Sequence, residues 1–343
     1  MKKDNINRLF LVLMVISSMP LKADNVTVSI TTDSYTNCPP QLLQTMERNV
    51  GMLLSEINSA NSEGRALNFA NSNIPASAVN QETKGQLQVM WNSVHFYCDD
   101  EEVVDRLWPL RDGYMLRQIP LIINPQEAGF NNGAYQEASI LMNNQGQIIE
   151  FSFVFDNQLS ESMERCGSTV SLEDKMLLLS FCDRFRTYYN TKNIEGLERI
   201  FSDDALIITG SVKVVPAPDM KGSVTTVTYN RQNKQQYISN LKRAFARNKY
   251  IEVKFSEIGV EGGCNTVTRS SNNPNMYGVR LKQEWRSSNY NDDGYLFLLW
   301  EFDKDGTKDP VIHVRTWQPE YLDKAKTQPL TEDKIFSLSD FDL

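Results

Sequence analysis

Between Pro39 and Asn61 the apolar residues Leu42, Leu43, Met46, Val50, Leu53, Leu54 and Ile57 recur every third or fourth position. That spacing places them on one side of an α-helix, and the two prolines at its start suit a first turn whose N–H groups are unpaired anyway. From Leu87 the period shortens. LQVMWNSVHFYC and GYMLRQIPLIINP read as strands, with DDEEVVDRLW between them as a short acidic helix. AYQEASILMNNQGQIIEFSFVF divides into two strand-like runs about Asn143-Asn144-Gln145-Gly146, which predicts a tight β-hairpin. One helix followed by a run of antiparallel strands makes an α+β unit over residues 24–160.

Residues 157–170 are polar and without period, and they set the boundary to a second unit over residues 171–319. Ser171, with Asp174 three residues on, opens a helix whose inner stripe is Leu178, Phe181, Cys182, Phe185, Tyr188 and Tyr189. IEGLERIF follows as a shorter helix, then SDDA as a turn into the β-branched run LIITG. Asp203 and Asp204 read as turn acids that satisfy free backbone amides, since adjacent strand residues point apart and cannot share a substrate. A long loop with Pro216 and Pro218 leads to a basic helix, NKQQYISNLKRAFARN, with Tyr237, Ile238, Leu241 and Phe245 inward. Four strands close the unit: YIEVKFSEIGV, YGVRLKQEWRSS, GYLFLLWEF and PVIHVRTW. In the second, Val279, Leu281, Gln283 and Trp285 alternate with Arg280, Lys282, Glu284 and Arg286, so one face is buried and the other wet. The third is apolar on both faces and belongs in the middle of a sheet. Residues 320–343 read as a polar, acidic, loosely packed tail.

The first residues have the layout of a secretory signal: MKKDNINR is basic, LFLVLMVISS is apolar but too short for a bilayer, and Ala23 is small. The protein is therefore expected to be exported, to the periplasm or beyond, with no membrane span. The whole chain has 35 basic and 43 acidic residues; without residues 1–23 it keeps 31 and 42, a net charge near −11. That sign excludes nucleic acid as a natural partner. The five cysteines (Cys38, Cys98, Cys166, Cys182, Cys264) fit no zinc or redox spacing and read mainly as buried thiols with at most one or two bridges. Two histidines in the whole chain leave no histidine-rich metal site, and no cofactor or metal is implied.

The order of elements from Ser171 to Gln318, carried by FRTYYNTKNIEGLERIFSDDALIITG and by LFLLWEFDKDG with VIHVRTWQP, resembles the nuclear transport factor 2-like superfamily. The resemblance covers fewer than half of the residues. It implies a cone in which a curved antiparallel sheet wraps a long helix and leaves a pocket at the wide end. YGVRLKQEW and HVRTWQP also look like secreted proteins of gut Bacteroidetes that carry this domain. The preceding helix-plus-sheet unit is similar to a cystatin-like layout. Enzymes of the superfamily, such as ketosteroid isomerases, place an acid or a His–Asp pair deep in the cone, with a donor to hold an enolate oxygen.

No complete catalytic set of that kind is present. Strand alternation groups His313 with Arg315 and Trp317, opposite Ile312, Val314 and Thr316. If that face lines the cone, a cation, an imidazole and an indole converge on an anionic or aromatic ligand; if it faces outward, it is a partner surface. Tyr189 and Trp285 join the candidate ligand face, although an aromatic stripe equally serves as core. His95, between Trp91 and Phe96, reads as a core histidine, because no nucleophile motif accompanies it. The expected function is non-catalytic binding of a small molecule or an envelope protein. The alternatives are a carbonyl lyase or isomerase with His313 as base, and a scaffold or homodimer formed on the outer sheet face.

Overall fold

The computed structural model describes residues 25–34, 36–70, 72–124, 134–155, 170–216, 223–258, 266–303 and 308–341. The expected secretory signal, most of the stretch between the units, Cys166 and Cys264 lie outside them. The protein is α+β, built as two sheet-bearing halves that meet along one helix.

In the first half, β1 (Thr27–Thr31) precedes α1 (Pro40–Ser62), which buries Met46, Val50, Leu53, Leu54 and Ile57 as the spacing requires. Gln81–Ser93 is a second helix, α2, rather than a strand. Asn80 caps it by accepting from the Thr83 N–H at 2.7 Å, and Leu87, Met90 and Trp91 are its buried side. The apolar density of LQVMW therefore has helical period, and the cap four residues upstream of Lys84 decides the matter. The acidic stretch expected as a helix is instead β3 (Glu102–Arg106), running parallel to β1. Its β-branched Val103 and Val104 favour the strand, and Thr27–Thr31 offers the partner. The remaining strands are β2 (His95–Tyr97), β4 (Trp108–Leu110), β5 (Gly113–Asn124), β6 (Ala134–Asn143) and β7 (Ile148–Phe153), in the antiparallel order β2-β5-β6-β7 with β4 also on β5. The hairpin turn forms as expected: Gly146 adopts φ +76°, and the Asn143 side chain accepts from the Gln145 and Gln147 N–H groups at 3.0 Å each.

The second half begins with α3 (Leu172–Asn190), whose Ser171 cap accepts from the Asp174 N–H at 3.0 Å, and continues with α4 (Ile194–Ile200). The chain then enters β8 (Phe201–Pro216) directly. In place of the loop expected after Gly210, the chain stays in β8 as far as Pro216 and pairs with β9 (Ser223–Asn233) from Leu206–Asn233 out to Pro216–Ser223, while Pro218 lies outside the described residues. α5 (Lys234–Arg247) opens with an Asn233/Gln236 capping box. β10 (Ile251–Ser256), β11 (Val267–Arg269), β12 (Met276–Ser287), β13 (Asn291–Glu301) and β14 (Val311–Pro319) complete a sheet of order β10-β12-β13-β14-β8-β9, with β11 on β12. β13 is interior, as its two apolar faces require. Neighbours pair antiparallel except β14 with β8, which are parallel. The inner face of this sheet closes over α3 in one core that includes Phe185, Tyr189, Leu281, Leu298 and Trp300. The element order and the sheet wrapped about a long helix are those of the nuclear transport factor 2-like cone.

The tail differs from its reading as a loose extension. Leu330 and Ile335 are buried, and Phe336, Leu338 and Phe341 lie on the outer sheet face against Phe297, Leu299 and Val314. The rings of Phe297 and Phe341 stack at 5.4 Å. Spaced apolar residues in a polar segment carry no helical or strand period, yet they are enough to cover an apolar face.

The halves are joined through side chains of α3. A sheet's edge strand leaves backbone groups unpaired. At β7 and just beyond it, the Phe153 N–H donates to Thr187 Oγ1 at 3.0 Å and the Phe155 N–H to Asp183 Oδ1 at 2.9 Å, while Arg186 donates to the Val154 carbonyl at 2.9 Å. The same Arg186 reaches the Val253 carbonyl on β10 at 2.8 Å, and Asn190 accepts from the Val253 N–H at 2.7 Å. One helix thus closes an edge of both sheets.

Candidate functional site

Within the cone, α3 contributes Tyr189, α5 Tyr237, β12 Gln283 and Trp285, and β14 Arg315. The Tyr189 and Tyr237 hydroxyls share a hydrogen bond of 2.5 Å, and Trp285 meets Tyr189 edge-on at 5.8 Å. Arg315 is buried, with its guanidinium 5.2 Å from the Tyr237 ring centre and a long 3.4 Å contact from Nη2 to Gln283 Oε1. Its Nε and Nη1 have no hydrogen-bond partner. Burial works against its charge, and the facing Tyr237 and Tyr189 phenols hold its pKa up all the same. Burial also raises the Tyr189 pKa well above the ordinary phenol value, so Tyr189 stays a neutral donor. Trp317 lies two residues along the same strand face. Gly294 makes room for it, since a Cβ there would come within 2.8 Å of its indole carbons.

His313 is not with them. The pairing of β14 with β8 jumps from Ile312–Phe201 to Val314–Leu206, so Ser202, Asp203, Asp204 and Ala205 stand opposite His313 alone. The β13 register slips at the same place, from Leu299–Val314 to Trp300–Ile312. A bulge inserts one residue and reverses the alternation beyond it. Ile312 and Arg315 therefore face the interior, while Val314 joins the outer cluster and His313 projects at the rim. There its Nε2 lies 2.6 Å from Glu301 Oε2, and its Nδ1 lies 3.3 Å from both Ser202 Oγ and Asp204 Oδ1. The Ser202 hydroxyl donates to Asp204 at 2.6 Å, the main reason the Asp204 pKa is lowered, and this commits that proton to a carboxylate. Asp203 turns the other way, to Lys234 Nζ at 2.8 Å. The sequence reading had the two aspartates satisfying amides of a turn; in the structure they chiefly hold side chains across a bulge, although Asp204 also meets a backbone N–H, its own. His95 stacks on Trp91 at 4.5 Å, and burial lowers its pKa.

Of the candidate residues, the structure thus brings Arg315, Tyr189 and Trp285 together, sets Trp317 on the same face, and separates His313. Sequence reasoning missed Tyr237 and Gln283 as parts of the site. A glutamine among the inward-facing alternates Val279, Leu281 and Trp285 was the available signal. The interior group offers a positive charge, phenols and a carboxamide, and no carboxylate or imidazole. Among the described residues no group of histidine, cysteine and carboxylate side chains could hold a metal ion, and no helix is long and apolar enough to cross a membrane.

No protein-family profile matches the chain, and no curated protein does. Among solved structures, an NTF2-like protein of unknown function from Pseudomonas putida is similar at 8% identity and a TM-score of 0.32, over 47% of this chain and 96% of that one. A conserved protein from Planctomyces limnophilus is similar at 10% identity and a TM-score of 0.30, over 43% and 97%. A naphthalene 1,2-dioxygenase with indole in its active site is similar at 12% and 0.31, over 46% and 83%. Likenesses this distant carry no chemistry to the present chain.

Proposed function

We propose that this is an exported, non-catalytic binding protein whose cone takes a small carboxylate at Arg315. The supporting observation is the buried guanidinium with two unpartnered nitrogens. A carboxylate oxygen admitted among these packed side chains would accept from one of those nitrogens in a charge-assisted hydrogen bond. The Tyr189 hydroxyl and the Gln283 amide would orient the ligand, and Trp285 and Trp317 would flank an apolar or aromatic body. The isomerase alternative needs a base beside the ligand, and His313 sits instead with Glu301 and Asp204 at the rim.

Arg315→Met keeps the volume and removes the charge. Benzoate or acetate should raise the melting temperature of the native protein in proportion to the logarithm of concentration. The variant should show no such rise. Equal shifts in both proteins, or none in the native one, would sink the proposal.

A further inference from the structure

Outside the cone, the turn after β11 and the end of the tail enclose a groove of about 550 Å³, a size usual for small-molecule sites. Arg269 of β11 and Arg280 of β12 line it, and among the described residues no carboxylate does. Arg269 Nε donates to the Pro274 carbonyl at 2.7 Å, with the guanidinium 5.6 Å from the Tyr277 ring centre, and Arg280 Nη2 donates to the Glu332 carbonyl at 2.8 Å. Carbonyls are neutral, so two arginine charges stand unmatched in a chain with 43 acidic and 35 basic residues. Arg269 is exposed, and Arg280 Nη1 is unpartnered and open to water, although Arg280 Nε is enclosed. Asp340, beside the groove in the tail, is turned to the Ser337 N–H and hydroxyl at 2.8 and 3.0 Å. The turn itself is held by Ser270 Oγ, which accepts from the Asn272 and Asn273 N–H groups at 3.2 and 3.1 Å and keeps its own proton to donate.

We propose that this groove binds a small organic ester by its tetrahedral oxyanion, a phosphate or a sulfate. The free terminal nitrogens of Arg269 and Arg280 hold the oxyanion in charge-assisted hydrogen bonds, and the Ser270 and Ser339 hydroxyls add neutral donors. The uncharged remainder of the ester lies along Leu338 and Phe341, which give the groove its apolar side. A neutral ligand would leave both arginine charges unmatched, and a cation would be repelled by them. The groove is separate from Arg315 and stands or falls without it.

The test is calorimetric titration of the full chain at low salt with glucose 6-phosphate and glucose 6-sulfate, beside inorganic phosphate and glucose. Saturable binding of at least one ester is the expected result, tighter than that of inorganic phosphate, undetectable for glucose, and weakened by added sodium chloride. The tighter ester tells which oxyanion the groove takes. Arg269→Gln should weaken binding at least about tenfold, and Ser339→Asp, which places a negative charge in the wall, should abolish it. Both positions are exposed, and should one variant fail to fold by circular dichroism, the other decides. Absence of binding by either ester, undiminished binding in a folded Arg269→Gln or Ser339→Asp variant, or equal affinity for inorganic phosphate overturns the proposal. So does loss of binding in a folded Arg315→Met variant, which would put the ester in the cone.

Discussion

Asp105 on β3 is buried, and its carboxylate accepts three backbone N–H groups: Arg106 at 2.6 Å, Arg117 at 3.0 Å and Gln118 at 2.9 Å. The last two belong to a bulge in β5, where the register with β6 slips between Leu116 and Ile119. The aspartate thus closes the gap that the bulge opens, and the bulge aims Arg117 at Asp183 on α3. Burial outweighs these bonds and raises the Asp105 pKa from 3.8 to about 6. A carboxyl whose pKa is higher folded than unfolded contributes stability that is full below about pH 4 and is lost as pH rises through 6. Between pH 4 and pH 8, Asp105→Asn should therefore gain on the native protein by on the order of 3 kcal/mol, measured by urea denaturation at both pH values. If the variant loses ground over that range instead, the three N–H bonds outweigh burial and the assigned direction is wrong.

Two elements act in ways their own residues do not announce. β14 carries a bulge at His313, and the strand reads differently on its two sides: Ile312 and Arg315 share the interior although they are three residues apart. The segment from Thr331 to Phe341 is a strap, tied by the Arg280 Nη2 bond to the Glu332 carbonyl at 2.8 Å and by the Phe336 N–H bond to Gln318 Oε1 at 2.7 Å. Beneath it lie Phe297 and Leu299, both fully buried, with Phe336, Leu338 and Phe341 of the strap packed against them. Phe341→Ala should cost about 1–2 kcal/mol, since the ring is partly buried. Removing residues 331–343 should raise the mass found by light scattering with concentration, because an uncovered apolar sheet face associates. A truncated protein that keeps its fold and the mass of the full chain would count against that role.

At the level of the whole molecule, buried polar pairs across α3 couple the halves. Arg117 on β5 and Asp183 on α3 form an ion pair with both side chains essentially inaccessible to water. Burial pushes the Asp183 pKa up to about 6, while Arg117 and the Phe155 N–H restrain it. Removing one partner of such a pair strands the other. Arg117→Met should cost about 3–5 kcal/mol at neutral pH, and adding Asp183→Asn should recover much of that loss. Because Arg186 bonds carbonyls on both sheets, the native chain should melt in a single calorimetric transition, with equal calorimetric and van't Hoff enthalpies. Two resolved peaks would show that the halves unfold independently.

Local pattern was enough for much of this protein: the amphipathic face of α1, the Asn143–Gly146 hairpin, the Ser171 cap and the alternation of β12 follow from neighbours a few residues apart. It was also enough for the order of the long helix, the short helix and the strands that follow, and it named Arg315, Tyr189 and Trp285, whose side chains the structure brings close together. It failed where a partner distant in sequence decides. Glu102–Arg106 is a strand because β1 lies beside it, Phe336 and Phe341 are buried because a sheet face needs covering, and Asp183, Arg186 and Thr187 are interior because a second sheet docks on α3. The place of His313 belongs to the same class. Side-chain direction along a strand is periodic only while the register is unbroken, and a bulge is set by the pairing of three strands rather than by the residues VIHVRTW themselves.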